Sequence, residues 1–319
     1  MRNAGRWSVM ACVAMVATTQ ACDCDVEPIV AVQEPEEPPP DDVIVPQDPP
    51  VEPTPDDPPP ETPADPPADP PEDDPPPPDD CDVSSDKIYV IDKDRSDLHL
   101  FDPATQQLSV VGRIDCDSFS TPASMAVSRG GKAYVRYSDN SLFEIDLSQP
   151  SLPCVDTGYR NGSFGSFGMG YATDSSTTWH DQLYVSNNGQ VAALDTDTWQ
   201  RTVVTPLSSL ATELTGNAAG QLWALAVQAG RGATTLQRVN QHTGAVAASV
   251  RLQQFPDPFE VDTFALAAWG GDLYAFYALN SSNTSEVWRI TPAGQMTRVV
   301  ANLGVNVVGA GVSTCAPGT

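Results

Sequence analysis

Closely spaced acidic side chains are the first feature of this 319-residue chain that could do chemistry. Asp92, Asp94 and Asp97 present carboxylates at spacings that suit calcium, which prefers oxygen ligands. Lys93 and Arg95 offset that charge, and the segment lacks the central glycine and late glutamate of calcium loops. We therefore expect a solvated hairpin turn and no cofactor, with calcium as the one ion to consider.

The rest of the sequence contains no motif for nucleophilic catalysis or metal binding. His99, His180 and His242 share no metal-ligand spacing, so no metal site is predicted. The glycine-rich run 162–170 is followed by neither a helix nor the lysine of a phosphate loop. No Gly-x-Ser-x-Gly motif is present, and we assign no catalytic residue. The sequence favours a non-enzymatic protein.

A repeat positions these loops. Five segments have the order polar, apolar, then Tyr or Trp, and they recur every 39 to 51 residues. A second marker, an apolar strand that ends in a turn, follows each of them, and period-2 strands flank each pair. Four strands in 40 to 50 residues are typical of propeller blades. The five segments are Lys87-Ile88-Tyr89, Lys132-Ala133-Tyr134, Gln182-Leu183-Tyr184, Gln221-Leu222-Trp223 and Asp272-Leu273-Tyr274.

With these motifs, residues 86–315 resemble the secreted β-propellers of bacteria. The fold class is all-β, a five-bladed propeller of four-stranded antiparallel blades. The first blade lacks an innermost strand, and the C-terminal segment 306–314 supplies an unpaired one, so the last strand is predicted to close the ring. Its Gly309, Ala310 and Gly311 suit the crowded axis.

The propeller resemblance implies a ligand-binding face made of loops that join second to third strands and of crossings between blades. Segment 255–262 combines aromatic and acidic side chains on this face. Its alternative interpretations are a pocket wall, a calcium site or a surface loop pinned by two prolines. The candidate binding-face residues are Asp92, Asp94, Asp97, Asp139, Arg160, Asp257, Phe259 and Glu260.

Four cysteines of the propeller segment predict disulfides. In a closed ring Cys81, before the first strand, meets Cys315, after the last, so we predict that they pair. Cys116 and Cys154 then pair by elimination, although four cysteines allow three connectivities.

The N-terminal region predicts export and tethering. Residues 1–21 form a signal peptide with two arginines and a short apolar run, too short to span a bilayer. Residues 19–22 resemble a bacterial lipobox that places a lipidated Cys22 at the head of segment 22–26; a plain secretory signal ending near Ala21 is the alternative. Residues 27–80 contain 22 prolines and 18 acids with no Lys or Arg, which predicts a disordered tether. The propeller domain spans 81–319.

The net charge of the chain limits which classes of binding partner we expect. The chain has a net charge of −26, most of it in the tether, which leaves the propeller segment at −8 with no basic cluster. Nucleic acid is therefore excluded as a partner. We expect a monomeric lipoprotein in the bacterial cell envelope, held by its lipid anchor to the outer membrane on the periplasmic or the outer side, that presents a propeller to a protein or glycan.

The alternative is a propeller hydrolase or lyase that acts on extracellular polysaccharide. Its catalytic carboxylates would come together from different blades. Acids clustered at the axis would favour this enzyme, whereas Gly, Ser and Ala there would favour a binding platform. The carboxylates to test would be Asp92, Asp94, Asp139, Asp257 and Glu260.

Overall fold

The computed structural model describes residues 81, 84–160, 164–174, 180–187, 189–206, 211–227 and 234–318. The predicted signal peptide, the lipidation site Cys22 and the tether 27–80 lie outside these residues, as do residues 162 and 163 of the glycine-rich run. The described part confirms the predicted five-bladed propeller, with five four-stranded antiparallel sheets.

Each blade is a meander, and four of the five use consecutive strands from the axis outward. The four are β4 to β7, β8 to β11, β12 to β15 and β16 to β19, while the first blade has the order β20, β1, β2, β3. The bounds are β1 Ile88–Asp92, β2 Asp97–Asp102, β3 Gln107–Arg113, β4 Pro122–Val127, β5 Lys132–Tyr137, β6 Leu142–Asp146, β7 Cys154–Asp156, β8 Gly168–Thr173, β9 Asp181–Asn187, β10 Gln190–Leu194, β11 Arg201–Pro206, β12 Ala211–Gly216, β13 Leu222–Val227, β14 Thr235–Val239, β15 Val246–Arg251, β16 Val261–Trp269, β17 Asp272–Leu279, β18 Glu286–Ile290, β19 Met296–Val300 and β20 Val307–Gly311.

The first sequence marker builds the core between blades. Its aromatic residues lie on the second strands β1, β5, β9, β13 and β17, and all five are buried. Tyr134 of the second blade packs against Tyr171 of the third at 6.1 Å between ring centroids. Tyr274 of the fifth blade contacts Phe101 of the first at 6.2 Å. One aromatic side chain per repeat therefore fills space between neighbouring sheets and stabilises the ring through burial of apolar surface.

The second marker ends the third strands through side-chain capping. The Oδ1 atom of Asp102 accepts hydrogen bonds from the backbone N–H groups of Ala104 and Thr105. Asp195 and Asn240 make the same pair of bonds with residues two and three positions later. A short polar side chain that bonds its own backbone forms an Asx turn, which explains why the motif recurs in the sequence.

The C-terminal strand closes the ring, as predicted. β20 pairs antiparallel with β1, with Ala310 opposite Val90. Cys81 and Cys315 form a disulfide beside this closure, and Cys116 pairs with Cys154. Because disulfides persist in oxidising compartments, the two bonds indicate an extracytoplasmic protein.

Glycines allow the innermost strands to approach one another. A Cβ atom on Gly170 of β8 would lie 2.5 Å from the carbonyl oxygen of Leu214 on β12. A Cβ on Gly309 of β20 would lie 2.7 Å from the backbone nitrogen of Met125 on β4. Small residues were predicted at this place in β20, and the reason is backbone-to-backbone contact between adjacent blades.

We expect removal of the closing disulfide to destabilise the ring. The chain-entropy model gives a loss of about 5 kcal/mol for Cys81→Ser with Cys315→Ser, whose sequence separation is 234. Removing Cys116–Cys154, separated by 38 residues, is expected to cost about 4 kcal/mol. Urea unfolding measures the losses, and hydrogen exchange should show β20 amides opening in the first variant alone. Unchanged protection of β20 would contradict this role for the bond.

We expect Gly170→Ala to lower the free energy of unfolding by about 2 kcal/mol or more, because backbone atoms that block the new methyl group cannot rotate away. Gly130→Ala is the matched control, since this exposed glycine has no atom within 4 Å of the added Cβ. Thermal and urea unfolding of both variants measure the difference. Equal losses would mean that contact between β8 and β12 does not limit stability.

Candidate functional site

A cavity of about 340 Å³ lies on the axis of the ring. Its lining includes one residue or more from the beginning of each innermost strand: Ala123 of β4, Gly168 of β8, Glu213 of β12, Thr263 of β16 and Val308 of β20. Since all five blades contribute, the cavity exists only when the ring is closed.

Loop residues surround the cavity on the face that the sequence indicated. Lys93 follows β1, Ser138 follows β5, Asn187 ends β9, and Thr121 and Ser166 belong to crossings between blades. These loops join second to third strands or pass from one blade to the next. The cavity therefore belongs to the loop face, at the N-terminal ends of the inner strands.

Glu213 is the buried acid of this cavity. Its side chain is 5% exposed, and the Oε2 atom accepts a hydrogen bond of 3.0 Å from the hydroxyl group of Ser124. Burial raises the pKa of Glu213 to about 8, although the nearby Arg136 charge and the bonds from Ser124 and the Met169 backbone oppose the shift. At neutral pH the carboxyl group is therefore mostly protonated, and it can donate a hydrogen bond.

Arg136 of β5 fixes the wall beside Glu213. Its Nε donates to the carbonyl oxygen of Phe167 at 2.6 Å, and its two terminal nitrogens donate to the carbonyls of Tyr137 and Ala123 at 3.0 and 3.1 Å. Three of its five N–H groups are thus used by the backbone. Burial lowers the pKa of Arg136 from its ordinary value, and Glu213 and Asp139 oppose that shift through their charges. The guanidinium joins the second and third blades at the cavity.

An ion pair between the first and fifth blades lies at the cavity mouth. The Lys93 ammonium donates to both oxygens of Asp262, at 2.9 and 2.8 Å. The side-chain amide of Asn306 donates to the same carboxylate at 3.3 Å. The bond with Lys93 lowers the pKa of Asp262, so this second acid of the cavity stays ionised. The two carboxyl groups of the cavity therefore differ in protonation at neutral pH.

Two phenylalanines and several polar groups complete the lining. Phe167 is buried, and the guanidinium carbon of Arg136 lies 5.5 Å from its ring centre. Phe264 of β16 is half-buried. Ser186 donates to the carbonyl of Thr212, and the Asn187 amide nitrogen donates to that of Phe164, which leaves the Asn187 side-chain oxygen as an acceptor. The lining thus combines aromatic surface with donors and acceptors.

The opposite end of the axis carries a different cluster. The Thr314 hydroxyl donates to Asp181 at 2.6 Å, and the Arg129 guanidinium lies 3.9 Å from the same carboxylate. Burial raises the pKa of Asp181. Thr314 immediately precedes Cys315, so the closing disulfide and the point at which the chain joins the propeller lie at the end opposite the cavity.

The three predicted acids of the first hairpin have different surroundings. Asp92 is buried, and its carboxylate accepts hydrogen bonds from the backbone N–H groups of Asp94, Arg95 and Asn306. It therefore holds the turn and the start of β20. Asp94 is exposed and Asp97 is half-buried, and neither lines the axial cavity.

Two other predicted residues meet in a separate depression. Asp139 and Arg160 both line a space of about 260 Å³ near the second blade. Arg160 forms an exposed ion pair with Asp156 at 3.0 Å, while Asp139 accepts from the backbone and hydroxyl group of Ser141. Exposed pairs of this kind contribute little free energy.

The remaining three candidate residues, Asp257, Phe259 and Glu260, lie in the crossing between the fourth and fifth blades. Asp257 caps a single 3-10 turn, Pro258–Glu260, by accepting from the N–H of Phe259 at 3.0 Å. Phe259 is 66% exposed and Glu260 is also exposed. Asp257 lines a space of about 190 Å³ that is distinct from the axial cavity. Their binding role stays a prediction.

Sequence reasoning missed Glu213 and Arg136. Each lies in a strand whose other residues are mostly apolar or small, and neither was among the candidate binding-face residues. A signal did exist, because a charged residue within an otherwise buried strand costs free energy unless it is satisfied. Predicting that the two residues share one cavity also requires the arrangement of blades around the ring.

Comparisons with known proteins assign no family to the chain. No protein-family model matches the chain, and no curated protein sequence matches it. Solved structures that resemble it include one from a nidogen–laminin complex, with 12% identity, a TM-score of 0.47 and coverage of 70% of this chain and 97% of the other. An auxiliary nutrient binding protein from Bacteroides thetaiotaomicron has 10% identity, a TM-score of 0.40 and coverage of 67% of this chain and 54% of the other. TolB from Acinetobacter baumannii has 15% identity, a TM-score of 0.39 and coverage of 67% of this chain and 52% of the other. Likeness at this level carries no argument about function.

Two further observations concern the described residues only. The described residues contain no helix of the length and apolarity needed to cross a membrane. They also contain no group of three or more His, Cys, Asp or Glu side chains placed to hold a metal ion.

We expect stability to fall with rising pH through Glu213. Its ordinary pKa is 4.5 and its folded value is about 8, so between these values the unfolded chain loses this proton and the folded chain keeps it. The contribution is fully present below about pH 4.5, and it declines by up to the order of 5 kcal/mol as the pH rises to about 8.

Unfolding free energies at pH 5 and pH 8, compared between wild type and Glu213→Gln, measure this effect. The uncharged amide cannot ionise, so subtracting its pH dependence cancels the other titrating groups. Parallel curves for the two proteins would show that Glu213 does not keep its proton.

Proposed function

We propose that this protein is a membrane-anchored lipoprotein of the bacterial cell envelope whose propeller binds a protein or glycan partner. Export is supported by the signal-like residues 1–21 and by the two disulfides. Anchoring is supported by the small residue Ala21 before Cys22, in a segment that resembles a lipobox. Acyl chains on Cys22 would supply the two hydrophobic anchors that stable membrane attachment needs.

The axial cavity is the observation that carries the binding role. Its volume of about 340 Å³ falls within the range of small-ligand sites. Five of its 17 lining residues are glycine, alanine or serine, the residue types expected for a platform, and the acid Asp262 has both oxygens bonded to Lys93. Binding groups are therefore present, whereas the second carboxylate is already neutralised by a lysine.

The point at which the chain joins the propeller suits presentation of this cavity. Cys81 and its disulfide partner lie at the end of the axis opposite the cavity.

A polysaccharide hydrolase or lyase is the second candidate, and one observation favours it. Glu213 and Asp262 line the same cavity, and their surroundings move their pKa values in opposite directions. Such a difference is typical of an acid and an ionised partner in a catalytic pair. A hydrolase would release new reducing ends from a polysaccharide and a lyase would release unsaturated ones; a binding module would release neither.

We expect lipidation at Cys22 to determine where the protein is found. Wild type expressed in a bacterium with its full leader should fractionate with the membrane, with an N-terminus at Cys22 and added acyl mass. Cys22→Ala should be soluble and unacylated, because it lacks the thiol that carries the lipid. Intact-mass analysis of both fractions is the measurement.

Cys24→Ala is the matched control, since it removes a neighbouring thiol and keeps Cys22. It should remain acylated and membrane-bound. If the wild-type chain is soluble and unmodified, the protein is secreted and not anchored. The binding role of the propeller would then need its own test.

A further inference from the structure

We propose that the axial cavity binds one sugar residue of a neutral glycan, with Glu213 as a hydrogen-bond partner in the wall and Phe264 as an apolar surface for the sugar ring. This inference rests on the proposed binding function and names its ligand class. The cavity volume of about 340 Å³ accommodates a small molecule and not a folded element of a protein partner.

The polar lining suits a ligand rich in hydroxyl groups. Hydroxyl groups both donate and accept, so a sugar needs both kinds of partner within reach. The Asn187 side-chain oxygen and the Asp262 carboxylate accept, while Arg136 retains two N–H groups beyond those bonded to backbone carbonyls. Ser138 and Ser166 add hydroxyl groups at the loop side.

Glu213 adds a donor that an ionised acid could not supply. Its Oε2 atom already accepts from Ser124, and in the protonated form the carboxyl group has one O–H to donate. Arg136 is the charged group that acts on this carboxyl, and Lys93 and Asp262 are the other charged groups in the cavity lining. A sugar oxygen in the cavity would give the buried proton a partner.

Charge argues for a neutral ligand. The two charges at the mouth, on Lys93 and Asp262, neutralise each other through two short hydrogen bonds. Three carbonyl oxygens surround the Arg136 guanidinium, which reduces its attraction for an added anion. The propeller segment also carries a net charge of −8, and this disfavours anions at long range.

Phe264 provides the apolar contact that sugar rings need. It lines the cavity and is half-buried, so part of its surface faces the free space. The other ring, Phe167, is buried and lies beside Arg136, so it is less accessible. One accessible aromatic side chain beside several polar groups is consistent with a site for a single sugar residue.

Binding of simple sugars to the purified full chain tests the proposal. The probes are glucose, galactose, mannose and N-acetylglucosamine as neutral sugars and galacturonate as the acidic one, measured by saturation-transfer NMR and calorimetry at pH 6.5. At least one neutral sugar should bind, and more tightly than galacturonate. Phe264→Ala and Glu213→Ala should each weaken binding about tenfold or more.

Glu213→Gln separates a protonated acid from an ionised one. Its amide keeps a donor without a charge, so affinity should stay within about threefold of wild type at pH 6.5. Wild-type affinity should fall about tenfold between pH 7 and pH 9 as Glu213 ionises, while that of the Gln variant stays constant. Asp197→Asn, exposed and outside the cavity, is the control that should match wild type.

Several results would overturn the proposal. These are failure of all four neutral sugars to bind, preference for galacturonate, or unchanged binding by Glu213→Ala and Phe264→Ala when circular dichroism shows both variants folded. Absence of sugar binding beside acylated Cys22 would reject the ligand class and keep the anchored binding protein. Cleavage of a polysaccharide containing the bound sugar would instead reject the binding module and leave the cavity as a catalytic site.

Discussion

Contact between the backbones of adjacent inner strands is the constraint on which the rest of this structure depends. Five strands can surround one axis only if little side-chain volume separates neighbouring blades, and Gly168, Gly170 and Gly309 meet the next strand at distances that exclude a Cβ atom. Ring closure through β20 then brings residues distant in sequence together. The axial cavity lies where these five inner strands begin.

Burial at the axis explains the unusual chemistry of the cavity. An acid placed among inner strands loses hydration, and the neighbouring guanidinium cannot restore it fully because its N–H groups are bonded to three backbone carbonyls. The proton on Glu213 is therefore a product of ring geometry. Asp262 is also in the lining but lies at the mouth, where Lys93 and partial hydration keep it ionised.

The fold was predictable because its signals are local. An aromatic residue recurs on every second strand, and an Asx turn follows most third strands. Each feature reflects contacts within one repeat or with the next. The closing strand and the Cys81–Cys315 bond followed from counting strands. The cavity was not predictable in this way, since Arg136 and Glu213 are 77 positions apart and meet only through the radial order of blades. Their local sequences look like ordinary buried strand.

The same dependence on local contacts explains why Asp92 and Asp257 lie outside the axial cavity. Asp92 satisfies backbone N–H groups of its own turn, and Asp257 caps a helical turn, so both carboxylates have structural partners. Acids in loops are common for this reason, and their abundance carries little information about ligands. An acid inside an inner strand has no comparable local use, since its burial costs free energy that a turn does not recover. The buried position of Glu213 in the cavity wall therefore points to a ligand contact more strongly than any of the loop carboxylates do.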